Sequence, residues 1–194
     1  MASVPNIEAE HLSIFCTEIA ANSIPIVALC MPRFDRPSNE CFSLVEEQIA
    51  GNGGSMVVGW AIWEHTGLFI EAEFHAVWKS PEGKFVDLSA RPLLLSHVVF
   101  LPDPSRRYEG RQVDNIRKPL VRDNDLVRFL FIFKRPFEIM NKGDLAFQHG
   151  EIKLPPKAVK ELRALQKEGM RLERRLWSRY GSNAEMSGTT GPAA

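Results

Sequence analysis

The chain has 194 residues, 44% of them apolar, enough for one domain with a real core and an appendage. Lys and Arg balance Asp and Glu at a formal charge of zero, which removes any global attraction to nucleic acid or anionic membrane. Three cysteines, Cys16, Cys30 and Cys41, fit neither a disulfide framework nor a metal-like spacing, and so point to a reducing cytoplasm.

The opening stretch, MASVPNIEAEHL, lacks the basic region and apolar core of a secretion signal. Glu8 to Ala21 sets Leu12, Phe15 and Ile19 at helical spacing and predicts a first helix. Ile24 to Leu29 reads as a short buried strand. The apolar run from Ile24 to Met31, the longest, is far short of a membrane span. Pro32 and Pro37 make the next segment irregular. Ser38 and Asn39 offer an N-cap for a second helix, with Cys41 in its first turn and Phe42, Val45 and Ile49 facing the core. Gly51-Asn52-Gly53-Gly54 ends it. Met56 to Trp63 is an apolar strand.

Gly67 to Ala90 predicts a hairpin. On its first strand Leu68, Ile70, Ala72, Phe74, Ala76 and Trp78 form a buried face, and Phe69, Glu71, Glu73, His75, Val77 and Lys79 a more accessible one. Ser80-Pro81-Glu82-Gly83 is the turn. A two-residue loop would place His75 opposite Leu88 and send Asp87 to the wrong face. A type I turn closed by Gly83 in a left-handed bulge pairs Ser80 with Lys84 and His75 with Ser89. Asp87 is then the diagonal neighbour of His75, roughly 7–8 Å away at the backbone and within side-chain reach. Proline followed two residues later by glycine selects the bulged register.

His97 to Leu101 predicts another strand, and Arg106 to Arg122 an irregular charged segment. Asp123 or Asn124 caps a helix from Asp125 to Phe133, whose apolar density also suits a strand, and Glu138 to Ile152 is a connector. Lys157 to Tyr180 is a long helix with a near-heptad seam of Leu162, Leu165, Leu172, Leu176 and Tyr180, Gly169 filling the missing place. Residues 153–180 carry nine Lys or Arg against three Glu. Gly181 ends this helix, and 181–194 reads as a disordered tail. The division is therefore 1–152 as the folded domain, 153–180 as a basic amphipathic helix, and 181–194 as tail.

The chemistry centres on Cys41, His75 and Asp87. A cysteine nucleophile needs a base to hold its proton and an orienter for that base. A first-turn cysteine meets unpaired N–H groups and the positive helix end, which favour a thiolate and stabilise an oxyanion. His75 is the candidate base and Asp87 its orienter. Ser38 and Asn39 are the nearest polar candidates for the oxyanion site, and Trp63 a candidate pocket wall. Cys16 and Cys30 read as structural, and His11, His65 and His97 as ordinary surface or core histidines.

The order of a cysteine-opened helix, FHAVW, a Pro-Gly turn and FVDLS resembles the core shared by papain-like, NlpC/P60 and transglutaminase-like proteins. NECFSLVEE, GWAIWE, IEAEFHAVWKSPEGKFVDLS and VVFLPD are together similar to an uncharacterised bacterial and phage family, some of whose members end in a cysteine-rich zinc-binding tail. The resemblance covers about Ser38 to Asp103. No cysteine follows Cys41, so no such tail is present in this sequence, and Arg91 to Ser96 is an unusual insertion. The resemblance implies an α+β fold in which an antiparallel sheet packs on the cysteine-bearing helix. It also implies a cysteine hydrolase or acyltransferase acting on a peptide-like or other acyl substrate without a cofactor.

Two other readings stand beside it. Glu71, Glu73, His75 and Asp87 form an oxygen and nitrogen set that a metal could use. Lys157, Lys160, Arg163, Lys167, Arg171, Arg174, Arg175 and Arg179 give residues 157–180 a basic surface for nucleic acid, a protein partner or a second copy. In that case the domain is a non-catalytic interaction module.

Overall fold

The computed structural model describes residues 2–36, 40–65, 67–92, 94–147 and 153–186. It is a mixed α+β architecture, with four α-helices among the described residues: α1 (Glu10–Ile19), α2 (Cys41–Asn52), α3 (Asn124–Met140) and α4 (Pro156–Met186). The strands are β1 (Ala2–Ser3), β2 (Ile26–Cys30), β3 (Ser55–His65), β4 (Phe69–Lys79), β5 (Phe85–Asp87), β6 (His97–Pro102) and β7 (Ile116–Pro119).

The longest pairing is β3 with β4, continuous from Ser55↔Lys79 to His65↔Phe69. The strand order is β1-β3-β6-β2-β5-β4-β7, and the β3–β4 pairing closes β3, β6, β2, β5 and β4 into a five-strand ring. β1 and β7 extend it on the outside, against β3 and β4. The expectation of an antiparallel sheet needs one correction: β2 pairs with β5 in parallel, Cys30 opposite Asp87. β2 lies between β6 and β5 and shares one direction with β5, and no local pattern announces such a crossover.

Ring closure also changes what the two faces of β4 do. Ile70 and Ala72 pack with Trp60, Ile62, Val99 and Leu101 beneath Leu12, Phe15 and Cys16 of α1. Ala76 packs with Val86 and Leu88 beneath Cys41, Leu44 and Val45 of α2. The alternate face, read from sequence as accessible, turns into the ring, where Val77 joins Ala28, Ala61, Val98 and Phe100. His75 is buried there too. Its register partner is Gly59, where an added Cβ would lie 2.8 Å from the Phe100 ring and 2.1 Å from the Leu101 carbonyl. A side chain at that position would collide with both neighbours.

The second layer is α3 with α4. Asp123 is the N-cap of α3, its carboxylate accepting from the N–H groups of Asp125 (2.7 Å) and Leu126 (3.2 Å). The segment is thus helical, and it runs on to Met140, through residues expected to begin a connector. Arg135 donates to Glu161 at 2.7 Å, so packing against α4 holds the extra turns. Arg128 pairs with Glu168 and Arg175 with Asp125, which makes the two helices antiparallel. The seam faces inward: Leu165 and Leu172 meet Ile132, Leu176 meets Leu126, and Gly169 abuts Ile132. α4 therefore docks on its own chain.

Gly181 does not stop α4, which continues to Met186 because this glycine keeps helical geometry, without the left-handed φ of a helix-ending glycine. Residues 187–194 of the expected tail lie outside the described residues. The segment read as irregular contains β7, held on β4 by a ladder from Phe69↔Pro119 to Ala72↔Ile116 and by Arg117 on Glu71 at 2.7 Å. No helix among the described residues is long and apolar enough to cross a membrane.

Candidate active site

The hairpin turn sets the geometry. Gly83 has φ +85° and donates its N–H to the Ser80 carbonyl at 2.9 Å, while Ser80 N–H bonds the Lys84 carbonyl at 2.8 Å. Lys79 then pairs with Phe85 and Trp78 with Val86, the bulged register expected from Pro81 and Gly83. The β4–β5 ladder has only those two pairs. Beyond them β5 turns to β2, and two side chains bridge the seam.

Those side chains are His75 and Asp87. His75 Nε2 lies 2.9 Å from Asp87 Oδ1, with the two residues 3% and 0% exposed. The same carboxylate oxygen accepts the Ser89 N–H at 3.0 Å, and Oδ2 faces Arg91 Nε and Nη2 at 3.4 Å each. Burial alone would raise the Asp87 carboxyl, but His75, Arg91 and the Ser89 N–H together hold it well below the usual carboxylate range. Burial likewise pulls His75 down. The Asp87 charge, the Cys41 charge and the hydrogen bond to Asp87 outweigh it and push the imidazole up to about 10.

Cys41 opens α2 and is 9% exposed. Leu44 N–H is bonded to the Glu40 carbonyl, so by helix geometry the N–H groups of Cys41, Phe42 and Ser43 have no partner within the helix. The N-cap position is Glu40, not Asn39, and its side chain makes no capping bond. Ser38 and Asn39 themselves lie outside the described residues. Cys41 lines the same cleft as His75 and is close enough to act on its imidazole. With Nε2 committed to Asp87, Nδ1 is the nitrogen left for the thiol. Both residues line a cleft of about 260 Å³, together with Phe42, Phe74, Tyr108 and Arg111. Tyr108 stacks on Phe42 with ring centroids 3.8 Å apart and planes 6° apart.

Trp63 walls a different hollow. It lines a pocket of about 570 Å³ with Glu71, Arg91 and Leu95, outside the cysteine cleft, because β4 places Glu73 between the two. Its indole N–H donates to Glu73 Oε2 at 2.9 Å, and Arg91 lies over its ring at 4.5 Å. Arg91 Nη1 also donates to Glu73 at 3.1 Å, so one guanidinium ties Glu73, Asp87 and Trp63 together.

The four residues of the metal reading are employed otherwise. Glu71 accepts from Arg117, Asn115 and His65, and Glu73 from Trp63 and Arg91. Among the described residues no group of three or more His, Cys, Asp or Glu is arranged to hold a metal. Cys16 is buried on the core-facing side of α1, and burial pushes its thiol up to about 11. Cys30, half-buried beside Asp87, is pushed up to about 11, mainly by burial and then by the Asp87 charge. His11 pairs with Glu64, and His97 with Ser96. Of the basic residues of α4, Arg175 and Arg179 are tied to Asp125 and Asp123, while Lys157, Lys160, Arg163, Lys167, Arg171 and Arg174 stay exposed.

Sequence reasoning missed Arg91, Glu73 as its partner, and the Tyr108–Arg111 loop. Arg91 had a signal, since Asp87, Ser89 and Arg91 share the two-residue parity of an extended chain. The loop had none. No protein-family model matches the chain, and no curated protein or solved structure matches it.

Proposed function

We propose that this protein is a cysteine hydrolase or acyltransferase with a papain-like or transglutaminase-like core, acting on an amide or thioester. The single observation that carries the reading is the buried His75–Asp87 pair, whose second ring nitrogen is left for a cysteine at a helix N-terminus inside an open cleft.

In this mechanism the Cys41 sulfur attacks the substrate carbonyl carbon, forming an S–C bond and placing negative charge on the oxygen. The N–H groups at the start of α2 are the available donors for that oxyanion. As the tetrahedral species collapses, the bond to the leaving nitrogen or sulfur breaks and His75 supplies its proton. Water or an acceptor amine, deprotonated by His75, then attacks the thioester and releases Cys41. Asp87 keeps the imidazole in one orientation and favours its protonated form.

The test is alkylation of Cys41 by iodoacetamide, followed by mass spectrometry at about pH 6, where an ordinary thiol with pKa about 8.5 is almost wholly protonated. The expected result is labelling at least tenfold faster than a free thiol compound, and a loss of that advantage in His75→Ala. Labelling at the free-thiol rate, or labelling indifferent to His75, overturns the proposal.

A further inference from the structure

The cysteine cleft has one lysine or arginine among its described lining residues, Arg111. Its neighbours along the chain are pinned at several points. At the start of the loop, buried Asp103 accepts from the Trp60 indole at 3.0 Å and from Ser105 Oγ at 2.6 Å. Tyr108 is held by its stack on Phe42, the residue after the cysteine. Gly110, at φ +70°, turns the chain, and Gln112 N–H reaches the Ala146 carbonyl at 3.4 Å. Asn115 then ties to Glu71 at 2.9 Å. A loop anchored on both sides of Arg111 presents that side chain at a defined place on the cleft rim.

Three arginines around it are spoken for, and Arg107, exposed on the same loop, does not line the cleft. Arg91 bridges Asp87 and Glu73, Arg106 faces Asp103, and Arg117 holds Glu71 and Asp114. Arg111 is exposed and makes no ion pair with any described residue. Glu73, the carboxylate on the cleft wall, is engaged by Arg91 and Trp63. The rest of the lining includes Phe42, Phe74, Tyr108, Val113 and Phe137, which suits an apolar segment.

We infer that the acyl substrate of Cys41 carries a carboxylate, which Arg111 binds while the aromatic wall receives an apolar part of the same molecule. The inference rests on the acyl-transfer reading and names its substrate class. Guanidinium suits this role because its planar fork meets a carboxylate through two parallel hydrogen bonds.

The experiment compares two reagents of nearly equal size, N-iodoacetylglycine and N-iodoacetylglycinamide, one anionic and one neutral. Each alkylates Cys41 in the full chain, in Arg111→Gln and in Arg111→Glu, with site occupancy read by mass spectrometry. The expected rate ratio, anionic over neutral, falls about fivefold in Arg111→Gln, the effect of one exposed charge pair. It falls further in Arg111→Glu, and dividing by the neutral reagent's rate in the same chain removes any general change in Cys41 reactivity. Any attraction from a charged His75 is common to all three chains and cancels in the comparison. A ratio unchanged by Arg111→Gln overturns the inference and leaves the acyl-transfer reading standing. A neutral reagent that reacts no faster than with a free thiol compound overturns the acyl-transfer reading, and the inference with it.

Discussion

Asp87 reaches His75 at 2.9 Å across a seam where their strands have already stopped pairing. The two strands share only Trp78↔Val86 and Lys79↔Phe85, so no ladder hydrogen bond holds the two groups together. What holds Asp87 is its own set of donors: the imidazole, the Ser89 N–H and Arg91. The pair is therefore sensitive both to the hairpin turn that sets its register and to the donors around the carboxylate.

The pH dependence of stability follows from that pair. His75 has a folded pKa raised from 6.5 to about 10, so its contribution is full below pH 6.5 and is lost as pH rises toward 10. The slope from this one group reaches at most about 1.4 kcal/mol per pH unit. Cys16 and Cys30, raised from 9.0 to about 11, add a loss of the same sign above pH 9. Urea unfolding between pH 6.5 and 9 in the parent and in His75→Gln isolates the imidazole. The parent loses stability over that window and the variant does not. Asp87, lowered, acts at the other end: its contribution is present above the ordinary carboxylate pKa and disappears in strong acid.

Asp87→Asn leaves a buried imidazole without its counter-charge, and removing one partner of a buried pair costs roughly 3–5 kcal/mol. The expected outcome is a destabilised protein in which the parent's downward pH trend above 6.5 is flattened. A chemical-denaturation midpoint equal to the parent's at pH 7 would contradict this account.

Arg91 is a positioning residue, acting on His75 only through Asp87. Arg91→Met removes the bridge among Asp87, Glu73 and Trp63 and lowers stability by about 1–3 kcal/mol, since each of two carboxylates loses a charged donor. It also slows iodoacetamide labelling of Cys41. Arg91→Lys keeps the charge but loses the fork, and is expected to recover less than half of either loss. Full recovery by lysine would show that charge alone matters.

Gly83→Ala tests the turn. An added Cβ meets nothing within 4 Å, so the cost is backbone strain at φ +85° and amounts to about 1–2 kcal/mol. Deleting Glu82, which shortens the loop to two residues, instead slips the register and turns Asp87 away from His75. Circular dichroism and Cys41 labelling separate the two: Gly83→Ala retains His75-dependent labelling, and the deletion abolishes it.

At the α3–α4 contact the sign of the effect reverses with side-chain size. Gly169→Ala places a Cβ 3.4 Å from Ile132 Cγ2, an ordinary contact, and gains about 1 kcal/mol of helix propensity. Gly169→Leu overfills the same seam and costs about 1–3 kcal/mol. Melting temperatures that rise for alanine and fall for leucine are the expected pattern.

Local chemistry alone determined a good part of this molecule. The two-residue period of β4, Pro81 and Gly83 in the turn, the helix opening at Cys41 and the seam of α4 are short-range patterns, and each element formed where its pattern lay. The meeting of His75 with Asp87 was legible for the same reason, because turn geometry sets hairpin register. Ring closure was decided only in three dimensions. β2 joined β5 in parallel, and the face of β4 that carries Glu73, His75 and Val77 became an interior. The network of Arg91, and the place of Tyr108 and Arg111 on the cleft, likewise depended on partners far along the chain. Periodicity reports which residues share a face of one element. Which free strand edges find each other, and what then covers that face, depends on long-range packing that leaves no local trace in the sequence.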